Sequence, residues 1–266
     1  MSATHYSRAF AGVAGRELLR FVNQRERFFS ALVRPLVWLI VFAAGFRAAL
    51  GLSIIPPYQT YISYEIYIVP GLIGMIQLFN GMQSSLSMVY DQEMGSMRVL
   101  LTTPLPRWFL LFSKLAAGVI VSIVQVYAFV VIALLFGIDV PWSGLLYILP
   151  VLVLTGLMLG ALGLVLASLI RQLENFAGVM NFIIFPMFFL STALYPVWKM
   201  RESSKWLAEV CQWNPFSGAV ELIRFALYGK FEPTAFAMVI GAGLFFFLAA
   251  VWSFDPARRF RAGRTA

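Results

Sequence analysis

Six stretches of this chain are predominantly apolar for about 20 residues or more, the length an α-helix needs to cross the hydrocarbon core of a bilayer, and 119–136 and 145–169 are apolar on every face. The six fall at residues 31–50, 66–88, 108–136, 144–169, 175–195 and 233–254. A helix that is apolar on all sides has no face to give to water, so it belongs in a core or in lipid. Six such stretches in 266 residues leave too little polar chain to wrap such a core. Hydrophobic residues make up 61% of the chain and charged ones 12%, against about 25% charged in a soluble domain. A membrane β-barrel would need short strands alternating apolar and polar residues, and 119–136 and 145–169 do not alternate. The expected fold is an all-α membrane protein of six transmembrane helices, treated as one domain over 1–266. Pro70-Gly71 inside the second span is compatible with this, because neighbouring helices satisfy the backbone groups a proline frees.

Two flanking segments are amphipathic rather than apolar. Residues 6–29 place Phe10, Val13, Leu18, Phe21 and Phe28 near helical spacing, with Arg16, Arg20, Asn23 and Arg27 opposite. Such a helix lies in the membrane interface. Residues 197–231 mix Trp198, Trp206, Trp213, Phe216 and Phe225 with charges, and aromatic rings of this kind settle at the headgroup level. We expect two short helices there, at 200–213 and 216–228, dipping into the outer leaflet and broken at Asn214-Pro215. The first 30 residues show no basic start, short apolar core and small-residue cleavage site, so the N-terminus is expected to be retained.

Charge gives an orientation. With the N-terminus inside, 14 of the 20 lysines and arginines lie in inner segments, and the acidic residues divide equally. The net charge of +8 then sits on one side, and the positive-inside rule makes both termini cytoplasmic. The expected location is the inner (cytoplasmic) membrane, crossed several times. The basic residues need no nucleic acid to explain them; attraction to anionic membrane lipid is their second role.

Catalytic chemistry is hard to place. A single cysteine, Cys211, excludes an intramolecular disulfide framework, and a single histidine, His5, excludes a multi-histidine metal site within one chain. No nucleophile elbow or carboxylate pair activates water, so we expect no enzyme active site, no cofactor and no metal in this chain. Ion-coupled transport would call for ionisable groups deep in the spans, and the middles of the third, fourth and sixth spans hold none. A glycine-rich loop ending in Gly-Lys-Ser/Thr, the cradle for ATP phosphates, is absent from the sequence. If ATP drives this protein, a second polypeptide brings it, with its Mg.

The polar loop at 91–104 is where such a polypeptide would act. Asp91 and Glu93 precede a helix-compatible run, and acidic residues favour the positive end of a helix. The run stops before Thr103-Pro104 and Pro106, since the residue before a proline resists the helical conformation. Met94, Met97, Leu100 and Leu101 give this short segment an apolar face, and methionine adapts to irregular grooves. The plain alternative is an inert connector at the lipid surface.

Four segments then carry a family resemblance, in this order and at these spacings: Ile68-Val-Pro-Gly71; Asp91-Gln-Glu-Met-Gly-Ser-Met-Arg-Val-Leu-Leu-Thr-Thr-Pro104; Phe189-Leu-Ser-Thr-Ala-Leu-Tyr-Pro196; and Asn214-Pro-Phe-Ser-Gly-Ala-Val-Glu-Leu-Ile-Arg224. Together they make the chain resemble, over nearly its full length, the membrane (permease) subunit of a type-2 ABC exporter. The resemblance implies a second copy of this chain, or a close relative, and two copies of a separate ABC-type ATPase that binds ATP and Mg. It implies that the loop forms a coupling helix, with Glu93, Gly95, Met97 and Leu100 as its ATPase contacts. Arg16, Glu17 and Arg20 on the N-terminal helix are secondary contacts, and the short 171–174 loop is a turn or a further contact. A translocation path at the dimer interface would be lined by Trp38 and Phe42, by Gln77, Asn80 and Gln83, and by Asn181, Phe185 and Phe189.

The same residues have structural readings. Gln77, Asn80 and Gln83 form a polar stripe that interhelical hydrogen bonds would also explain. Glu221 and Arg224, three apart, can pair on one helix face. The expected function is ATP-driven export of an amphipathic, lipid-linked or polymeric substrate. The alternatives are a non-transporting membrane anchor and an ion-coupled transporter.

Overall fold

The structure is a computed structural model and describes residues 3–23, 25–46, 56–58, 62–94, 105–170 and 172–254. Ten helices account for nearly all of them: α1 (Ala3–Asn23), α2 (Arg25–Phe46), α3 (Tyr64–Glu93), α4 (Arg107–Leu135), α5 (Trp142–Leu169), α6 (Leu173–Phe189), α7 (Val197–Ser203), α8 (Lys205–Trp213), α9 (Pro215–Leu227) and α10 (Pro233–Ser253).

Of the six expected spans, four are helices long and apolar enough to cross a bilayer: 64–91, 107–135, 142–169 and 233–253. Of the other two, α6 has 17 residues, about 26 Å at 1.5 Å per residue against a core of about 30 Å. Helix α2 carries an apolar stretch over Leu32–Phe42 among the described residues, and positions 47–50 of the expected first span lie outside them. The apolar run of the fifth span continues past Phe189, but its polypeptide leaves the helix there. Ser191 turns its hydroxyl back to the Phe188 carbonyl at 2.6 Å. The first helix also ends earlier than expected, at Asn23, so Arg25 to Phe28 belong to α2 rather than to the interfacial helix.

The bundle is built around α3. Of its apolar window 89% is buried, against 17% for that of α10 on the periphery. Glycine sets how closely α3 meets α5. A Cβ on Gly81 would lie 2.9 Å from the Gly160 Cα, so this crossing of backbones tolerates no side chain there. Gly156 packs against Gln77 and Val119. The small-residue pair on α5 is therefore used within the subunit. Gly81→Ala is expected to destabilise the protein by about 1–3 kcal/mol through overpacking, whereas Gly12→Ala, with open space around it, should change little; thermal unfolding in detergent compares the two.

Helices α8 and α9 are joined at Asn214-Pro215, the tip between them. The Asn214 side-chain amide donates to the carbonyls of Met187 (2.8 Å) and Leu190 (2.7 Å), and its oxygen accepts from the Phe216 amide at 3.0 Å. It thus caps α9 and holds the end of α6. Phe216 and Val220 approach Gly74, where a Cβ would lie 3.1–3.3 Å from their side chains. Gly74 is about 15 Å along α3 from its start, so the tip sits part-way down the bundle. At its other end α9 meets α5, where Gly144 abuts the Leu227 carbonyl.

Leu244, Phe245, Leu248 and Trp252 on α10, with Val124 and Val131 on α4, are exposed. An apolar surface of this extent is untenable in water and natural against lipid.

Candidate functional site

Asp91, placed by the sequence at the start of a coupling helix, instead lies in the last turn of α3 and is buried. A carboxylate at a helix C-terminus opposes the helix dipole, so it needs a cation. Lys114, about two turns into α4, supplies it: Nζ donates to Asp91 Oδ2 at 2.5 Å, with both side chains under 10% exposed. Lys114 escaped the sequence reading, although a lysine about two turns into an apolar helix is itself the signal of a buried partner. On the other side of Asp91 stands α1. Arg16 Nη2 lies 3.7 Å from Asp91 Oδ2 and donates to Glu17 Oε1 at 3.2 Å. Tyr6 packs edge-on against Phe109 at 4.9 Å, fixing α1 to α4. Three helices thus meet through charges immediately before the 95–104 segment.

Of the expected ATPase contacts, Arg16 and Glu17 are therefore at the root of the loop, and Glu93 is exposed at the end of α3. Gly95, Met97 and Leu100 lie outside the described residues, as does the side chain of Arg20.

The expected path residues divide into two groups. Trp38 stacks on Phe42 (5.1 Å) and meets Phe189 edge-on (6.2 Å), and Phe185 stacks on Phe189 (6.3 Å). This aromatic run joins α2 to α6 and borders an open face: Phe185 and Phe189 are exposed, as are Asn181 and Phe182 beside them and Val37 and Val41 on α2. Gln77 and Asn80 point elsewhere. Gln77 donates to the Leu152 carbonyl at 2.7 Å and accepts from the Thr155 hydroxyl at 2.6 Å. Asn80 donates to Gln125 Oε1 on α4. Both bind α3 to its neighbours, the interhelical bonding the stripe also allowed; Gln83 is half-buried.

A second buried charge sits at the opposite end of α3. Arg224 is 2% exposed; it donates to Glu221 Oε1 and, at 2.9 Å, to the Thr192 carbonyl. Its guanidinium lies 4.1 Å from the centre of the Tyr67 ring, a favourable cation–π contact. Tyr67 and Tyr64 donate to the carbonyls of Thr192 and Leu194, each at 2.9 Å. The 191–195 segment is thereby stitched to α3 and α9. Just beyond α9, burial pushes the Tyr228 phenol up to about 12, against the lowering effect of Arg224, so it stays protonated.

An all-helical bundle with these lipid-facing surfaces is a multi-pass membrane protein. Residues 8–228 match the model of the family described as ABC-2 type transporter, and the chain belongs to that family as a membrane permease subunit. Among its relatives are the putative transport permease ycf38 of Cyanophora paradoxa, 28% identical over 84% of this chain and 79% of the relative, and that of Porphyra purpurea, 32% identical over 79% and 70%. The probable multidrug ABC transporter permease YbhR of Escherichia coli is 32% identical over 63% of this chain and 45% of its own length. Membership implies an ABC ATPase as partner.

Proposed function

We propose that this chain is the membrane half of an ATP-driven exporter in the inner membrane, working as a homodimer with two ATPase subunits that carry ATP and Mg. Both termini and the 91–104 loop face the cytoplasm, and α2 and α6 complete a six-span subunit. The ATPase docks on the loop through Glu93, Gly95, Met97 and Leu100, flanked by Arg16, Glu17 and Arg20. The observation that carries this reading is the charged junction of Asp91, Lys114 and Arg16. A loop that only connects two spans has no need of a buried ion pair at its root, whereas a loop that transmits force needs a rigid one. A push on the loop then reaches α1, α3 and α4 together.

The open aromatic face of α2 and α6 suits the second copy. Trp38, Phe42, Phe185 and Phe189 would border the path there, with Asn181 and Gln83 as polar positions, and an amphipathic or lipid-linked substrate fits such walls. Gln77 and Asn80 support the path from behind rather than line it. Relatives of this chain carry names as different as multidrug permease and nodulation protein.

Introducing a lysine at Met97 and Leu100 together is expected to lower ATPase recovery on the purified permease about tenfold or more, as loss of an apolar anchor in a groove does. Thermal unfolding of the permease itself should stay within about 0.5 kcal/mol, as for surface changes. Undiminished recovery would contradict docking on this loop.

A further inference from the structure

At the end of the bundle remote from the 91–104 loop, α8, α9 and the start of α10 border an open cavity of about 470 Å³. Its walls include Thr192, Gln212, Trp213, Glu221, Phe225 and Glu232. The charged residues lining it are both acidic, and no lysine or arginine is among the described residues of its wall. Glu221 is engaged by Arg224, and among the described residues Glu232 accepts from a neutral hydroxyl, that of Thr234, at 2.6 Å, with no cation bound to it. The wall therefore combines the Glu232 carboxylate with the rings of Trp213 and Phe225, the residue types that recognise ammonium groups. Thr192 is 2% exposed and its hydroxyl has no hydrogen-bond partner among the described residues. A buried hydroxyl left unpaired is costly, and a ligand oxygen would relieve it.

A larger, apolar cavity of about 620 Å³ adjoins it, with Trp213 in the wall of both. Leu162, Met187, Val210 and Phe246 line this second space, and Glu209 is the one charged residue among the described residues of its wall. Its wall runs from Asn214-Pro215 to Leu162 on α5 and Phe246 on α10, within the apolar lengths of those two helices. We infer that the two cavities form one lipid site: the ammonium headgroup of a zwitterionic phospholipid enters the acidic cavity, and an acyl chain passes Trp213 into the apolar one. A soluble cation would use the first cavity and leave the second without an occupant. Phosphatidylethanolamine is the simplest lipid of this chemistry, and phosphatidylglycerol is the matched control lacking the ammonium.

Native mass spectrometry of the purified full-length chain, titrated with each lipid, tests this. Loss of one charge-assisted contact of about 1.4 kcal/mol is a tenfold change, so phosphatidylethanolamine should bind about tenfold more tightly than phosphatidylglycerol. Glu232→Gln should remove that preference, and Asp139→Asn, which is not among the lining residues, should keep it. Equal binding of the two lipids to the wild-type chain overturns the site whatever the variants do. So does an unchanged preference in Glu232→Gln. A decyltrimethylammonium ion that displaces the bound phosphatidylethanolamine supports the shared site; one that binds alongside it assigns the acidic cavity to a soluble cation and overturns the lipid reading. The readout needs no ATPase, so its failure leaves the transporter reading untouched.

Discussion

Lys114→Met is expected to destabilise the subunit by about 3–5 kcal/mol, the cost of leaving a buried carboxylate without its cation. Asp91 and Lys114 are both under 10% exposed, so solvent screens the pair little. Asp91→Leu should cost a similar amount, whereas the double variant Asp91→Leu/Lys114→Met should recover most of the loss, because it removes both charges together. A double-mutant cycle read by thermal unfolding separates the pair from its surroundings. If each single change cost less than about 1 kcal/mol, in the range of exposed surface pairs, the junction at the root of the loop would not be the rigid element argued above. The cycle has a functional arm as well. The double variant restores packing without restoring the charges that Arg16 faces at 3.7 Å, so ATP-coupled activity should recover less than stability does.

Arg224 should be the second most sensitive position. Arg224→Leu removes the cation that joins Glu221, the Thr192 carbonyl and the Tyr67 ring. It leaves the hydrogen-bonding groups of the 191–195 segment short of a donor, and the expected loss is about 3 kcal/mol or more. Arg224→Lys keeps the charge but not the planar fork that reaches two acceptors while lying over a ring, so only partial recovery is expected. Hydrogen exchange offers the local readout: protection of the 191–195 backbone should fall in both variants, and further in leucine. Protection unchanged in Arg224→Leu would show that Tyr64 and Tyr67 hold the segment without the guanidinium.

Much of the architecture can be read from apolar length and from punctuation. The helices at 107–135 and 142–169 begin directly after Pro106 and Pro141, where the proline fixes an extended residue before the first turn, and the apolar runs extend to their ends. Asn214-Pro215 marks the break between α8 and α9 for a related reason, with the Asn side chain capping α9. What apolar length could not give is where a long run stops being helix: the fifth apolar run continues to 195, but its last residues turn away to hydrogen-bond with α3 and α9. Charge partners were equally hidden. Glu221 and Arg224 are three apart and visible as a pair, whereas Asp91 and Lys114 are separated by 23 positions, and the intervening loop conceals that the two helices lie side by side. The polar stripe on α3 shows a similar limit. Its spacing declares a common face, but only the positions of α4 and α5 decide that Gln77 and Asn80 meet protein.

Whether a separate ATPase drives this permease is tested by recovery of the tagged chain from its native membrane in mild detergent. The expected result is an equimolar partner carrying a Gly-rich phosphate loop ending in Gly-Lys-Ser/Thr, recovered with the wild-type chain and lost when Met97 and Leu100 are both replaced by lysine. An intact, well-folded complex that contains no such nucleotide-binding subunit would contradict it.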